Sequence, residues 1–120
     1  MTNKERIQNF YLNDGIRNEG MLNTILHENV ILEWDSSDGK ILLEKNDILK
    51  LANEFERNYH SSIIEISHLI EDGSFLVVKY SHKVSSIENP REIIPIAKVV
   101  VIWEFVGDKL IKGYQISQPA

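Results

Sequence analysis

The chain has 120 residues, of which 42% are hydrophobic and 26% charged, as in an ordinary globular protein with a single domain over residues 1–120. The formal net charge is -5 and the lysines and arginines are scattered, which argues against nucleic-acid binding, because that needs clustered positive charge. The chain has no cysteine, and no apolar run approaches the ~20 residues of a membrane span. We therefore expect a cytoplasmic protein that binds neither nucleic acid nor membrane.

The first half of the chain is predicted to be mainly helical. In chain order the pattern predicts a helix from Thr2 to Gly20, a short helix over 21–26, a short strand over 30–34, a turn over 35–40 and a helix over 45–59. Thr2 and Glu5 have the spacing of a capping box, and Gly20 is a typical helix end. The helix over 45–59 is the clearest, because its apolar residues recur every three or four positions.

Four strands are predicted in the second half, over 62–70, 75–86, 93–106 and 109–117. Gly107-Asp108 between two apolar runs predicts a hairpin with a two-residue loop. That loop places Val101 opposite Tyr114. For the preceding hairpin, a three-residue loop with Gly73 in the left-handed region keeps the apolar residues of both strands on one face.

Helices followed by antiparallel strands predict an α+β fold in which helices cover one face of the sheet. Under this register the covered, concave face carries few polar side chains, which is typical of small-molecule sites. The predicted pocket residues are Tyr11, Trp34, His68, Tyr80, Val101, Trp103 and Tyr114. The opposite, convex face is largely apolar, so we expect a homodimer through it. The apolar residues predicted there are Ile63, Leu69, Phe75, Val77, Ile94, Ile96, Val100, Ile102 and Ile111.

Several local features resemble the nuclear transport factor 2-like superfamily, in particular its SnoaL-like domains. They are an N-terminal helix closed by glycine, the segment 28–34 leading into a glycine-containing turn, the helical segment 48–52, and Trp103-Glu104-Phe105 before 107–110. The resemblance implies a cone-shaped, curved antiparallel sheet closed by N-terminal helices around a mostly apolar pocket. It also implies dimers formed through the sheet. Members include steroid isomerases, epoxide hydrolases, polyketide cyclases, dehydratases and non-catalytic binding domains, so the fold does not define the function.

The resemblance transfers few functional residues. Steroid isomerases carry an acidic general base just after the first strand, where the nearest matches here are Glu33 and Asp35. Their helix-one tyrosine is loosely matched by Tyr11, and the place of their oxyanion-hole acid falls near the apolar Val101. Many SnoaL-like chains end with Arg and Asp, where this chain has Tyr114 and Gln118.

Two residues are candidates for acid–base chemistry. His82, beside Tyr80, titrates near neutrality, although a hydrogen-bonded structural histidine is the alternative. Asp35 beside Trp34 is a candidate base whose pKa a dry pocket would raise, or simply the first residue of a turn that it caps. We expect no metal and no cofactor, because His68 and His82 lie roughly 20 Å apart in the predicted register.

Three functions are compatible with the sequence. The first is a domain that binds a small, mainly apolar or amphipathic molecule without assigned chemistry. The alternative is a cofactor-free enzyme of the isomerase, cyclase, dehydratase or hydrolase type, with Asp35 or His82 as base and Tyr80, Tyr114 or Trp103 as oxyanion donors. The third is a purely structural dimer.

Overall fold

The computed structural model describes residues 1–120 and contains three α-helices and six β-strands. The chain order is α1 (Asn3–Leu12), a 3₁₀ turn (Gly15–Arg17), α2 (Glu19–Ile25), β1 (Leu26–Ser36), β2 (Gly39–Glu44), α3 (Lys45–Asn58), β3 (Tyr59–Asp72), β4 (Phe75–Ser86), β5 (Ile93–Val106) and β6 (Lys109–Pro119). The strands form one curved sheet in the order β2-β1-β6-β5-β4-β3. The predicted α+β class is confirmed. One pair of strands, β1 and β6, is parallel.

Helix α1 begins as predicted, because the Thr2 hydroxyl accepts the backbone N–H three residues on at 3.1 Å. The prediction that Gly20 ends it is wrong. The helix ends at Leu12, eight residues earlier, and Asp14 then adopts the left-handed conformation with φ of 62°. Gly15 follows because it packs against the end of α1, and a Cβ there would stand 2.3 Å from the ring of Phe10.

Strand β2 was not predicted. The turn expected over 35–40 is shorter, since Ser36 pairs with Gly39 and the chain returns at once along β1. The apolar residues Ile41, Leu42 and Leu43 therefore belong to an edge strand. Helix α3 starts directly after it, where the Asp47 carboxylate accepts the backbone N–H of the last residue of β2 at 2.8 Å.

The β3–β4 hairpin has a two-residue loop, in contrast to the three-residue loop predicted. Asp72 pairs with Phe75, and Gly73 has a φ of 61°, in the left-handed region as predicted. A bulge at Ser67 then changes which residues of β3 face inward. Near the loop Leu69 faces inward and Ile70 outward, with 56% of Ile70 exposed; beyond the bulge the even-numbered residues face inward.

The β5–β6 hairpin has the predicted two-residue loop, and Val106 pairs with Lys109. The predicted register fails at the third residue of β6, because Ile111 forms a bulge. Beyond it Trp103 opposes Gly113, and Ile102 opposes Tyr114. Every residue of β6 after the bulge therefore faces the side opposite to the one predicted.

The helices cover the concave face of the sheet and enclose one hydrophobic cluster. Its fully buried members come from α1 and from β1, β4, β5 and β6: Ile7, Val30, Leu76, Val78, Val101 and Leu110. The longest helix, α3, has 14 residues, and no helix has both the length and the apolarity needed to cross a membrane.

Two basic side chains attach the helices to their neighbours. Lys45, at the start of α3, is buried and donates to the Asn23 carbonyl at 3.3 Å and the Glu28 carboxylate at 2.9 Å. Arg17 donates to the backbone carbonyl of Tyr59 at 3.0 Å, where α3 passes into β3. These bonds fix both ends of α3 over the sheet.

Candidate functional site

A cavity of about 470 Å³ lies between α3, the N-terminal helices and the concave face of the sheet, within the size range of small-molecule sites. Nineteen of its 24 lining residues are hydrophobic. The five polar lining residues are Glu54, Asn58, His82, Gln115 and Ser117. The lining contains no lysine or arginine. The cavity is therefore apolar with a small number of placed polar groups.

The deep part of the cavity contains three aromatic side chains that carry an N–H or O–H group. The indole N–H of Trp103 donates to the Tyr11 hydroxyl at 2.9 Å, and the rings of Tyr11 and Tyr80 lie 5.0 Å apart. Burial raises the pKa of both tyrosines, so both are neutral phenols at neutral pH. The hydroxyl of Tyr80 makes no hydrogen bond within the chain, and the Tyr11 proton has no acceptor. Two O–H donors are thus available to a guest.

His82 lies on the wall of the cavity, on β4. Its Nε2 is 2.6 Å from the Ser62 hydroxyl, and its ring stacks on Phe55 of α3 with centroids 5.1 Å apart. Burial lowers its pKa to about 4, because the imidazolium form loses hydration there. The imidazole is therefore neutral at neutral pH and carries one donor and one acceptor nitrogen.

The lining residues between α3 and the C-terminal ends of β1 and β6 are only partly buried. The cavity therefore opens there. Trp34 is fixed there by a hydrogen bond from its indole N–H to the Ser117 hydroxyl at 2.7 Å. Gln115 lies beside it, because Trp34 and Gln115 are neighbours in the parallel pair. From α3, Glu54 contributes the only carboxylate in the lining.

Five of the residues predicted for the site lie together in this cavity: Tyr11, Trp34, Tyr80, His82 and Trp103. Two predicted pocket residues lie on the outer face of the sheet instead, so their placement was wrong. Tyr114 is 43% exposed on the outer face, opposite Ile102, because of the bulge at Ile111. His68 is exposed beside Lys79 on the same outer face, because of the bulge in β3.

The placement of Asp35 as a base in the pocket was also wrong. Trp34 faces the cavity, so the next residue along the strand faces the other side, where Asp35 neighbours Ile116. Val101 does lie on the concave face, as predicted. It is fully buried within the hydrophobic cluster and does not reach the cavity surface.

Four polar residues of the lining were not predicted from the sequence: Glu54, Asn58, Gln115 and Ser117. Glu54 falls outside the apolar stripe of α3, and it lines the cavity because it lies on the same flank of the helix as Leu51 and Asn58. Gln115 and Ser117 face the cavity only because of the β6 bulge, and the sequence offers no clear signal for that bulge. No group of three or more His, Cys, Asp or Glu side chains is placed to hold a metal ion.

No family model and no curated protein matches the sequence. Solved structures do match over almost the whole chain. It is similar to IdmH, a proposed polyketide cyclase from Streptomyces antibioticus, with a TM-score of 0.75, 8% identity, and coverage of 98% of this chain and 92% of that one. A proposed SnoaL-like polyketide cyclase from Shewanella denitrificans gives a TM-score of 0.74 at 12% identity, covering 96% and 89% of the two chains.

A nuclear transport factor 2-like protein of unknown function from Burkholderia xenovorans gives a TM-score of 0.69 at 16% identity, covering 98% of this chain and 84% of that one. Identities this low establish the fold alone. The chain has the nuclear transport factor 2-like cone fold, with helices closing a curved sheet around a pocket. Among proteins with this fold, it matches SnoaL-like structures, as the sequence features predicted.

Proposed function

We propose that the protein binds a small, mainly apolar molecule in the cavity between α3 and the sheet. The observation that carries this proposal is the cavity itself, about 470 Å³ in volume with 19 hydrophobic residues among its 24 lining residues. A guest would gain burial of its apolar surface, at roughly 25 cal/mol per Å². Hydrogen bonds donated by the Tyr11 and Tyr80 hydroxyls would orient the guest, with the guest's hydrogen-bond acceptor at the deep end of the cavity.

Filling the cavity tests this proposal. Ala97 is a small, half-buried lining residue, and the next residue, Lys98, is exposed on the other face of the sheet. We expect Ala97→Trp to abolish binding of an uncharged fluorescent probe, N-phenyl-1-naphthylamine, and of 4-phenylbutan-1-ol, measured by fluorescence and calorimetry respectively. Lys98→Trp, the matched control, should bind as the wild type does. Equal binding by both variants would place the guest outside this cavity.

The deep hydroxyls favour a second function, a cofactor-free enzyme that moves a proton next to a carbonyl. A carbonyl oxygen accepting from Tyr11 and Tyr80 would be stabilised as its negative charge develops. His82 would serve as base, and its pKa of about 4 makes it a weak one. The proposed cyclase role of the similar Streptomyces and Shewanella proteins agrees with carbonyl chemistry of this kind.

Solvent deuterium exchange into an enolisable ketone tests the enzyme function, with Tyr80→Phe and His82→Gln as the variants. If the protein is such an enzyme, each substitution should lower the exchange rate at least tenfold while the protein stays folded, because each removes a group that contacts the reacting atoms. Exchange no faster than in buffer would leave binding as the function.

We also propose a homodimer formed through the outer face of the sheet. A row of apolar side chains crosses four strands there, from Tyr114 through Ile102 and Val77 to Ile70. Ile116, which is 65% exposed, extends it. Sedimentation at micromolar concentration should show a dimer that Ile102→Lys converts to a monomer; a wild-type monomer of 13.9 kDa would refute this. The cytoplasmic location stays a prediction that cell fractionation would test.

A further inference from the structure

The opening of the cavity carries a carboxylate with no partner. Glu54 is half-buried on α3, and its side chain makes no ion pair or hydrogen bond within the chain. Lys50 and Arg57, its neighbours on the helix, do not come within 4.0 Å of it. None of the other 23 lining residues carries a positive charge, because His82 is neutral at neutral pH. The site therefore has a net negative charge.

Three aromatic side chains line the same cavity as Glu54. Phe55, near the end of α3, and Tyr59, the first residue of β3, have ring centroids 4.9 Å apart. The indole of Trp34 lines the same cavity and is anchored through its N–H by Ser117, so its ring orientation is fixed. Aromatic faces attract cations, and the attraction strengthens where water is partly excluded.

We propose that the cavity selects a hydrophobic ammonium ion, with its apolar body inside and its charged nitrogen at the opening beside Glu54. This inference rests on the proposed binding function and names the class of ligand. An ammonium would meet one unpaired carboxylate and aromatic faces, while remaining partly hydrated. A carboxylate would meet Glu54 with no positive group in the lining to offset the repulsion.

Three probes with the same apolar body test the proposal: 4-phenylbutylamine, 4-phenylbutan-1-ol and 4-phenylbutyric acid, titrated calorimetrically into the 120-residue chain at pH 7.5 and low salt. We expect the amine to bind about three- to tenfold more tightly than the alcohol, and the acid to bind most weakly. Raising the salt concentration should reduce the advantage of the amine.

Glu54→Gln should remove the preference for the amine and leave the Kd of the alcohol unchanged. Glu56→Gln is the matched control, since it removes the same charge from the same helix at an exposed residue outside the cavity. An amine that binds no better than the alcohol, or a preference that survives Glu54→Gln, overturns the ammonium proposal while the binding function stands. Failure of all three probes to bind would overturn the binding function and this inference together.

Discussion

The buried His82 should make the protein less stable as the pH falls from 6.5 to 4. In the folded chain burial lowers the pKa of this histidine from 6.5 to about 4, whereas the unfolded chain keeps the higher value. Over that interval the unfolded state binds a proton that the native state does not, so acid favours unfolding. Above pH 6.5 neither state is protonated at His82, and below pH 4 both are.

The size of the effect follows from the two pKa values. A difference of one in pKa corresponds to about 1.36 kcal/mol, so the change from 6.5 to about 4 corresponds to about 3 kcal/mol at most. His82→Gln is the informative substitution, because glutamine does not titrate and still offers a hydrogen-bonding group to Ser62. The carboxylates titrate in both proteins and cancel from the difference.

Urea unfolding of the wild type and of His82→Gln at intervals from pH 4 to pH 8 measures this. The difference in free energy of unfolding between the two proteins should be constant above pH 7 and shift by about 3 kcal/mol in favour of the variant by pH 4. A difference that does not depend on pH would refute the reasoning. So would an NMR titration of the folded wild type in which the His82 ring protonates near pH 6.5.

Three further substitutions test the packing of the sheet and the deep end of the cavity. Gly113→Ala should destabilise by about 2 kcal/mol or more in urea unfolding, because its Cβ would stand 2.5 Å from the Trp103 ring and 2.7 Å from Leu32; unchanged stability would mean that the ring moves freely. Tyr11→Phe leaves the buried indole N–H of Trp103 without an acceptor, so the free energy of unfolding should fall by about 1–3 kcal/mol and the indole emission should change; an unaltered emission spectrum contradicts the bond. Gly107→Ala should cost about 1–2 kcal/mol although nothing lies within 4 Å of the new Cβ, because φ is 62°, and Gly107→Asn should cost less; equal losses would argue against a backbone cause.

Much of the fold follows from periodic patterns and turn residues. The strands over 75–86 and 93–106 have the predicted bounds, and Gly73 and Gly107 both lie at hairpin loops with positive φ. These features are local, since a glycine at a loop and alternating apolar residues depend only on neighbouring positions. The class of fold could therefore be predicted from the sequence.

The site was predicted less well, because the face of the sheet on which a side chain lies depends on where bulges occur. One extra residue at Ser67 and one at Ile111 turn His68 and Tyr114 to the outer face. Neither bulge has a glycine or proline that marks it, and each is set by pairing across the sheet. The prediction assumed an unbroken alternation, which is correct near the loop of the last hairpin and wrong beyond the bulge.

The order β2-β1-β6-β5-β4-β3 has a consequence for biosynthesis. The first two strands attach to the rest of the sheet only through β6, by contacts as distant in sequence as the 83 residues between Trp34 and Ser117. During synthesis on a ribosome, the edge of β1 that pairs with β6 therefore lacks its hydrogen-bond partners until the last strand has emerged. Such distant pairing slows folding, and the edge of β1 stays unpaired and open to wrong pairing during that delay.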